Sequence, residues 1–328
     1  MKKESKDCVI ILPYFGKFNN YFSLFLKSCS YNPKVQWIIF TDDKTNYNYP
    51  ENVKVIFFTL KKIKELAEIK MNIKVSLEFP YKLCDYKPAY GLIFDDYIKE
   101  YKYWGHCDCD VIFGDIQSLL FPILSKSYDK IFAVGHLTLY RNTYENNTLF
   151  MNKYKNRNLY KEAFQNEEIY VFDEDFENWR NPNCINVHNI FLEKEKKVFV
   201  KDLSFNVSTE SGKIKRTFYD SETRKFKIEK YVPRRYYWFN GHIYSIEYQK
   251  DADKIFIKEY LYIHLQMRKM RMKKDVLENN CIEILPDRFI TQSCLPNNKK
   301  QMRNYSIRFS YMYWIDTYIS KIKRKLHI

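Results

Sequence analysis

"CVIILPYFGKFNNYFSLFLKSCSYNPKVQWIIFTDD", residues 8–43, contains two apolar runs separated by a segment of different periodicity. The runs at 8–15 and 35–43 are continuous and rich in Val, Ile and Phe, which is typical of strands buried on both faces. Between them the apolar residues recur at helical spacing, at Phe22, Phe25, Leu26 and Cys29. A buried strand, a helix and a second buried strand predict a parallel sheet with helical crossovers.

The same alternation continues along the chain. Further strands are predicted at 53–60, 130–142 and 254–267, and further helices at 61–74 and 85–101. We therefore expect an α/β protein with a doubly wound, mostly parallel central sheet, flanking helices and an elaborated C-terminal half.

The chain shows no internal repeat and no linker, so its parts are expected to belong to one domain. Residues 1–142 form the α/β core. Residues 143–270 are expected to elaborate this domain and to add its closing strands. Residues 271–328 are expected to form a basic, aromatic extension.

Composition excludes several classes of protein. The 328 residues include only 7 Gly, and neither the Gly-rich dinucleotide fingerprint nor the triphosphate-binding loop is present. No signal-peptide-like or membrane-spanning stretch occurs, so we expect a cytoplasmic protein. The 8 Cys then belong to a reducing compartment, and most of them are expected to fill the core.

The net charge of +15 predicts an anionic partner. Much of the excess lies in residues 268–274 and 305–328, where Lys and Arg alternate with Tyr, Trp, Ile and Met. Such a segment is typical of a peripheral contact with an anionic membrane. A helix that packs its apolar face on the domain explains the pattern equally well.

Acidic residues follow the predicted strands. Asp42 closes the strand at 35–43, and Asp108 and Asp110 lie in "WGHCDCDVIFGD", residues 104–115. Ligands of open α/β sheets bind beyond the carboxyl ends of strands, and crowded carboxylates suit Mg²⁺ or Mn²⁺. The competing interpretation is a zinc site at His106, Cys107 and Cys109, although zinc sites usually pair two such knuckles.

Seven blocks, in order over about four fifths of the chain, resemble a family of bacterial proteins. The family is encoded with capsule, lipopolysaccharide and other surface-polysaccharide genes and is regarded as glycosyltransferases of the GT-A type, with a D-x-D motif. The blocks are "ILPYFG" (11–16), "FTDD" (40–43), "YKLCDYKPAYG" (81–91), "WGHCDCDVIFGDI" (104–116), "GHLTLYRN" (135–142), "FDE" (172–174) and "YIHLQMR" (262–268).

The resemblance implies a metal-dependent glycosyltransferase. Its substrates would be a nucleotide sugar, with UDP as the expected nucleotide, and a glycan or lipid-linked glycan acceptor. Asp108 and Asp110 match the D-x-D motif, which holds Mn²⁺ or Mg²⁺ on the donor diphosphate. His264 occupies the place of a late-strand histidine ligand in several such enzymes. A hydrogen-bonded core histidine is the alternative for His264.

The other site positions are also implied by the resemblance. Contacts with the base, ribose, phosphates or sugar are expected from Pro13, Tyr14, Phe15, Asp42, Lys82, Asp85, Lys87, Asp108, His136, Arg141 and Asn142. Lys82 on a solvated helix face and Arg141 at a surface strand end remain open as alternatives.

The "FDED" cluster offers a catalytic base, with Asp173 and Glu174 as the candidates. An inverting transferase needs a carboxylate to accept the proton of the acceptor hydroxyl. A retaining one relies on stabilisation of the diphosphate by the metal and by Lys or Arg. A charge patch at a helix start is the alternative role for the cluster.

Two other functions remain open. "DCDVI" resembles the nucleophile motif of haloacid-dehalogenase-type phosphatases, but three predicted strands precede it and its fifth residue is Ile112. A basic nucleic-acid-binding protein fits the charge and the aromatic content, although no nucleic-acid-binding motif is present and we expect no nucleic acid as partner.

Overall fold

The computed structural model describes residues 6–133, 135–174, 182, 185–266, 268–303 and 309–326. Its central sheet contains β1 (Lys6–Tyr14), β2 (Val35–Thr41), β3 (Val53–Phe57), β4 (Tyr101–Cys107), β6 (Lys130–Ile131), β7 (Leu137–Arg141) and β8 (Val198–Phe199). The strand order is β3-β2-β1-β4-β7-β6-β8, and only β7 runs against the others.

Helices cover both faces of this sheet. They are α1 (Phe22–Ser30), α2 (Leu60–Met71), α3 (Leu83–Tyr86), α4 (Tyr90–Ile93), α5 (Asp95–Ile98), α6 (Ile116–Leu124), α7 (Tyr144–Thr148), α8 (Leu159–Phe164) and α9 (Val187–Glu193). Two further helices, α10 (Lys299–Arg303) and α11 (Tyr311–Leu326), belong to the C-terminal part of the chain. Because side chains alternate along a strand, Ile10 of β1 packs with α1 and α6, whereas Ile11 packs with α2 and α4. The predicted doubly wound, mostly parallel α/β fold is confirmed.

The C-terminal half contributes most of two further sheets. One contains β5 (Val111–Phe113), β9 (Ser204–Val207), β10 (Arg216–Asp220), β11 (Lys225–Ile228) and β15 (Tyr262–His264), in the order β11-β10-β9-β15-β5. The other contains β12 (Arg234–Phe239), β13 (His242–Gln249), β14 (Lys254–Tyr260), β16 (Cys281–Ile284) and β17 (Phe289–Thr291), in the order β14-β13-β12-β16-β17. Asn240 and Gly241, both at positive φ, make the hairpin turn between β12 and β13, and Asn-Gly is a common sequence signal for such a turn.

Three predicted elements are divided in the structure. The run at 130–142 is a hairpin, because Phe132 adopts a φ of 70° and β6 turns back antiparallel to β7. The helix expected at 85–101 consists of short helical turns around Pro88, and β4 already begins at Tyr101. The late strand at 254–267 supplies β14 to one sheet and β15 to another.

Within the described part of the chain, no helix combines the length and the apolar composition needed to cross a bilayer.

Candidate metal and donor site

The D-x-D turn connects β4 to β5 at the carboxyl edge of the parallel strands. Its backbone is held at each of three residues. Asp108 N donates to His136 O at 3.2 Å, and Asp110 O accepts from Leu265 N at 3.0 Å. Asn19 Nδ2 donates to the intervening Cys109 O at 3.2 Å. The turn is therefore fixed by hydrogen bonds from three separate segments, which limits the positions that the two carboxylates can take.

His264 reaches this turn through strand pairing. It lies on β15, antiparallel to β5, directly opposite Val111. Its Nε2 is 3.1 Å from Asp110 Oδ1 and 3.8 Å from Asp108 Oδ2. The three ligand atoms all lie within 4.8 Å of one another. Residues distant in sequence thus form a compact group of two oxygens and one nitrogen.

The other ring nitrogen of His264 is occupied by Asn206. Asn206 is paired with His264 across the parallel strands β9 and β15, and its Oδ1 lies 3.0 Å from His264 Nδ1. An amide oxygen only accepts, so Nδ1 carries the hydrogen and neutral His264 presents the lone pair of Nε2 to the two carboxylates. This is the tautomer that a metal ligand requires. Sequence reasoning missed Asn206, whose only signal was a polar side chain inside a buried strand.

Burial and charge act in opposite directions on His264. The side chain is almost fully buried, which disfavours the imidazolium, but Asp110 and Asp108 outweigh burial and raise the pKa of His264. A second imidazole, His136, lies behind it with the ring centroids 4.8 Å apart. Tyr262 Oη is 2.6 Å from His136 Nδ1, and burial lowers the pKa of His136, so this ring is neutral. His136, expected from the resemblance to contact the donor, therefore lies beside the metal-ligand group.

Lys87 connects the D-x-D turn to the acidic loop. Its Nζ lies 2.9 Å from Asp108 Oδ1, 3.0 Å from Asp173 Oδ2 and 3.0 Å from Gly135 O. The distance between Lys87 Nζ and Asp173 Oδ2 is that of an ion pair, but the angles do not meet the requirements of a hydrogen bond. Burial opposes the charge, yet the surrounding carboxylates raise the pKa of Lys87 above its usual value. A cation is therefore maintained beside the oxygen of Asp108 that faces away from His264.

Asp173 and Glu174 lie against Gly135. A Cβ at Gly135 would come within 2.4 Å of both Asp173 Oδ2 and Glu174 Cγ, so only glycine permits this approach. Loss of water raises the pKa of both carboxyls, and the charge of Asp173 raises that of Glu174 further. Asp173 is 3% exposed, whereas Glu174 is partly accessible. Asp175, the next acid of the cluster, lies outside the described residues.

Lys82 and Asp85 support the acidic loop. Lys82 is fully buried, and its Nζ donates to Asp85 Oδ2 at 2.8 Å, to Ala163 O at 2.8 Å and to Glu168 O. Asp85 also accepts from the backbone nitrogens of Tyr170 at 2.9 Å and Phe172 at 3.0 Å. All three donors of Lys82 are used inside the protein. The expected contact of Lys82 and Asp85 with ribose or phosphate is therefore replaced by a structural role.

Arg141 and Asn142 lie at the wrong end of β7 for the predicted pocket. Leu137 pairs with Cys107 at the carboxyl end of β4, whereas Arg141 pairs with Tyr103. Four strand residues span about 13 Å. Asn142 Nδ2 donates to Ile98 O at 2.8 Å and Tyr101 O at 2.9 Å and so closes a loop. The prediction failed because it read a hairpin as one strand ending at the site.

The end of β1 contributes one accessible side chain. Pro13 and Phe15 are buried, but Tyr14 is partly exposed. Its ring stacks on Phe18 at 4.6 Å, and burial, with the charge of Asp110, raises its pKa to about 12. Asp42 is exposed at the adjacent end of β2 and accepts from Gly16 N at 2.7 Å. Tyr14 and Asp42 therefore remain on the site's edge, whereas Pro13 and Phe15 act through packing.

The zinc alternative does not fit the structure. His106 and Cys107 are consecutive on β4 and point to opposite faces of the sheet. Cys107 packs in the core with Trp37, and burial keeps the pKa of its thiol well above the usual value. The described residues that can hold an ion in the D-x-D turn are Asp108, Asp110 and His264. Two carboxylate oxygens and an imidazole suit Mn²⁺ or Mg²⁺, and the tautomer held by Asn206 fits a metal ligand.

The fold and site together define an α/β protein with a candidate divalent-metal centre at the carboxyl edge of its central sheet. Residues 10–293 match a family of unknown function (DUF6625), and the chain belongs to that family. A search of curated proteins finds no match.

Several solved structures are similar to part of this chain. The galactosyltransferase LgtC in complex with donor and acceptor sugar analogs is 10% identical, with a TM-score of 0.32 over 61% of this chain and 75% of that chain. Mouse xyloside xylosyltransferase 1 is 11% identical, with a TM-score of 0.37 over 62% of this chain and 88% of that chain. These similarities are distant.

Proposed function

We propose that the protein is a metal-dependent glycosyltransferase. It transfers a sugar from a nucleotide-sugar donor to a glycan or lipid-linked glycan acceptor, in the synthesis of a bacterial surface polysaccharide. The observation that carries the proposal is the convergence of Asp108, Asp110 and the Nε2 of His264 at the carboxyl edge of the parallel strands. That edge is where ligands bind in open α/β folds. The surface-polysaccharide role follows the sequence resemblance.

Asp108, Asp110 and His264 would hold the ion. When bound, the ion supplies positive charge to the donor diphosphate and stabilises the leaving nucleotide. The Asn206 contact keeps the Nε2 lone pair of His264 directed to the cluster before metal arrives. Tyr14 and Asp42, on the ends of the adjacent strands β1 and β2, are the side chains proposed to contact the base and ribose.

Lys87 has two roles in this proposal. It pairs with Oδ1 of Asp108, so that Oδ2 of the same carboxylate points toward His264. It also adds a buried cation within the site, where a diphosphate would otherwise meet several carboxylates. A positive side chain that contacts both the metal-binding turn and the acidic loop orders these two segments relative to each other.

Glu174 is the better candidate for a catalytic base. Asp173 is buried and paired with Lys87, so it has no path to an acceptor hydroxyl. Glu174 is partly accessible, and its raised pKa makes its carboxylate a stronger proton acceptor than an ordinary glutamate. In this assignment Asp173 positions the loop and Glu174 receives the proton.

The test is a panel of sugar nucleotides measured with and without Mn²⁺. We expect one or more donors to raise the melting temperature and to be hydrolysed slowly, in both cases only with metal. Asp110→Asn should abolish both responses. Asp253→Asn, at a carboxylate that is 80% exposed and distant in sequence, is the matched control and should leave them intact. Metal-independent responses, or responses that survive Asp110→Asn, would overturn the proposal.

The phosphatase alternative is distinguished in the same samples. It requires Asp108 as a nucleophile, and release of phosphate from small phosphomonoesters would support it. In the structure Asp108 follows the fourth strand of the sheet and one of its oxygens is paired with Lys87, which favours the transferase.

A further inference from the structure

The C-terminal helix α11 is attached to the protein by one side only. Tyr313 is 8% exposed, its hydroxyl donates to Thr209 O, and the Arg268 guanidinium lies 4.4 Å from its ring centroid. One turn later, Asp316 Oδ1 is 3.7 Å from Lys269 Nζ. These contacts fix which face of the helix is directed toward the protein.

The opposite face is apolar and exposed. Tyr311, Ile315, Tyr318 and Ile322 recur at intervals of four, three and four residues, which places them on one stripe. Their exposed fractions are 77%, 48%, 68% and 39%. Met312, Trp314 and Ile319 border the stripe and are also exposed. A continuous apolar face of this kind on a water-exposed helix marks an interaction surface.

Positive charge lies beside the helix, next to the face that contacts the protein. The segment 268–274 passes beside α11 at Arg268 and Lys269, and it exposes Lys269, Arg271, Lys273 and Lys274. An anionic lipid surface has apolar acyl chains beneath negatively charged headgroups. The apolar side chains complement the acyl chains, and the neighbouring basic residues complement the headgroups.

We propose that α11 and the segment 268–274 form a docking surface for an anionic phospholipid bilayer. The helix lies in the plane of the interface, with Ile315, Tyr318 and Ile322 inserted and the basic segment against the headgroups. A second protein copy would bury the apolar stripe too, but two such copies would bring like charges together. Charge therefore favours the lipid surface. The proposal does not depend on the metal site.

The experiment uses the full chain and vesicles of phosphatidylcholine with or without phosphatidylglycerol. We expect co-flotation only with the anionic vesicles and loss of binding at high salt. Ile315→Ser with Tyr318→Ser, and separately Lys273→Gln with Lys274→Gln, should each weaken partition about tenfold. Brominated lipid should quench tryptophan fluorescence, and Trp314→Phe should remove most of that quenching.

Matched controls lie on α2. Ile69→Ser, at an apolar side chain that is 74% exposed, and Lys61→Gln with Lys62→Gln should leave partition unchanged. The Mn²⁺-dependent thermal shift should be the same in all variants, which separates loss of docking from misfolding and from failure of the proposed activity. Equal partition of wild type and the α11 variants would overturn the proposal. So would a dimer, seen by analytical ultracentrifugation, that the α11 substitutions dissociate while vesicles bind no protein.

Discussion

His264 Nε2 lies 3.1 Å from Asp110 Oδ1, and this contact joins strand β15 to the D-x-D turn that follows β4 of the central sheet. The two residues come from distant parts of the sequence, and antiparallel pairing of β15 with β5 brings them together. An aspartate pair in a turn is common in proteins. A buried imidazole directed at that pair, with its other nitrogen already occupied, is the feature that argues for a metal.

Replacing His264 tests this contact. His264→Gln should weaken Mn²⁺ binding by more than the roughly ten- to a hundredfold that loss of an outer partner produces, because it removes a ligand. In the wild type, Asp110 and Asp108 raise the pKa of His264, and metal requires the neutral ring. Mn²⁺ affinity, measured by isothermal titration calorimetry, should therefore fall as pH decreases through that raised pKa. An unchanged affinity in His264→Gln would exclude His264 from the metal site.

Asn206 gives a second, independent prediction. Asn206→Leu leaves the Nδ1 hydrogen of His264 without an acceptor, so the ring loses its fixed tautomer and orientation. Mn²⁺ affinity should fall about ten- to a hundredfold. Asn206→Asp keeps an acceptor at the same position and should restore most of the affinity. If both substitutions weakened binding equally, the role assigned to the Asn206 acceptor would be wrong.

The overall architecture was predictable because buried parallel strands produce continuous apolar runs. Residues 8–43 show two of them around a helix, and the sheet follows. The D-x-D turn was predictable because its acids interrupt such runs. The residues that contact this turn were only partly predictable. His264 was named through a resemblance. Asn206 was missed because strand pairing between β9 and β15 has no local signal in the sequence.

The wrong site assignments concern residues whose positions are set by tertiary structure. Arg141 and Asn142 were placed in the site because 130–142 reads as one apolar strand, whereas the chain reverses at Phe132. Lys82 was expected to contact the donor, with a solvated helix face as the alternative, but it is buried with Asp85 and backbone carbonyls. A charged side chain in a sequence carries no mark of whether tertiary contacts will satisfy it inside the protein.

Lys82 should therefore behave as a structural residue. Lys82→Met leaves the buried Asp85 carboxylate without its cation and should lower the free energy of unfolding by about 3–5 kcal/mol. Chemical denaturation measures this change. Lys61→Met, at a side chain that is 84% exposed, is the control and should have little effect. If Lys82→Met kept full stability but lost the response to nucleotide sugar, the earlier assignment as a phosphate contact would be restored.

Glu174 makes stability depend on pH in a defined direction. Burial and the neighbouring Asp173 raise the pKa of Glu174 in the folded protein to about 7, above the ~4.3 of an unfolded glutamate. The folded state then binds more protons than the unfolded state between these values, so the free energy of unfolding decreases as pH rises through the window. The Gln side chain of Glu174→Gln does not titrate. Measured in EDTA, this variant should be as stable as the wild type near pH ~4.3, and more stable than the wild type above about pH 7.

Two features make this comparison specific. Glu65→Gln, at a carboxylate that is 54% exposed on α2, is the control and should follow the wild-type profile throughout. Glu174→Gln should also reduce acceptor-dependent transfer more than donor hydrolysis, because a base for the acceptor hydroxyl is not needed to bind the donor. Parallel pH profiles for Glu174→Gln and the wild type would show that the Glu174 carboxyl is as ionised in the folded protein as in the unfolded chain. That result would remove the reason for preferring it as the base.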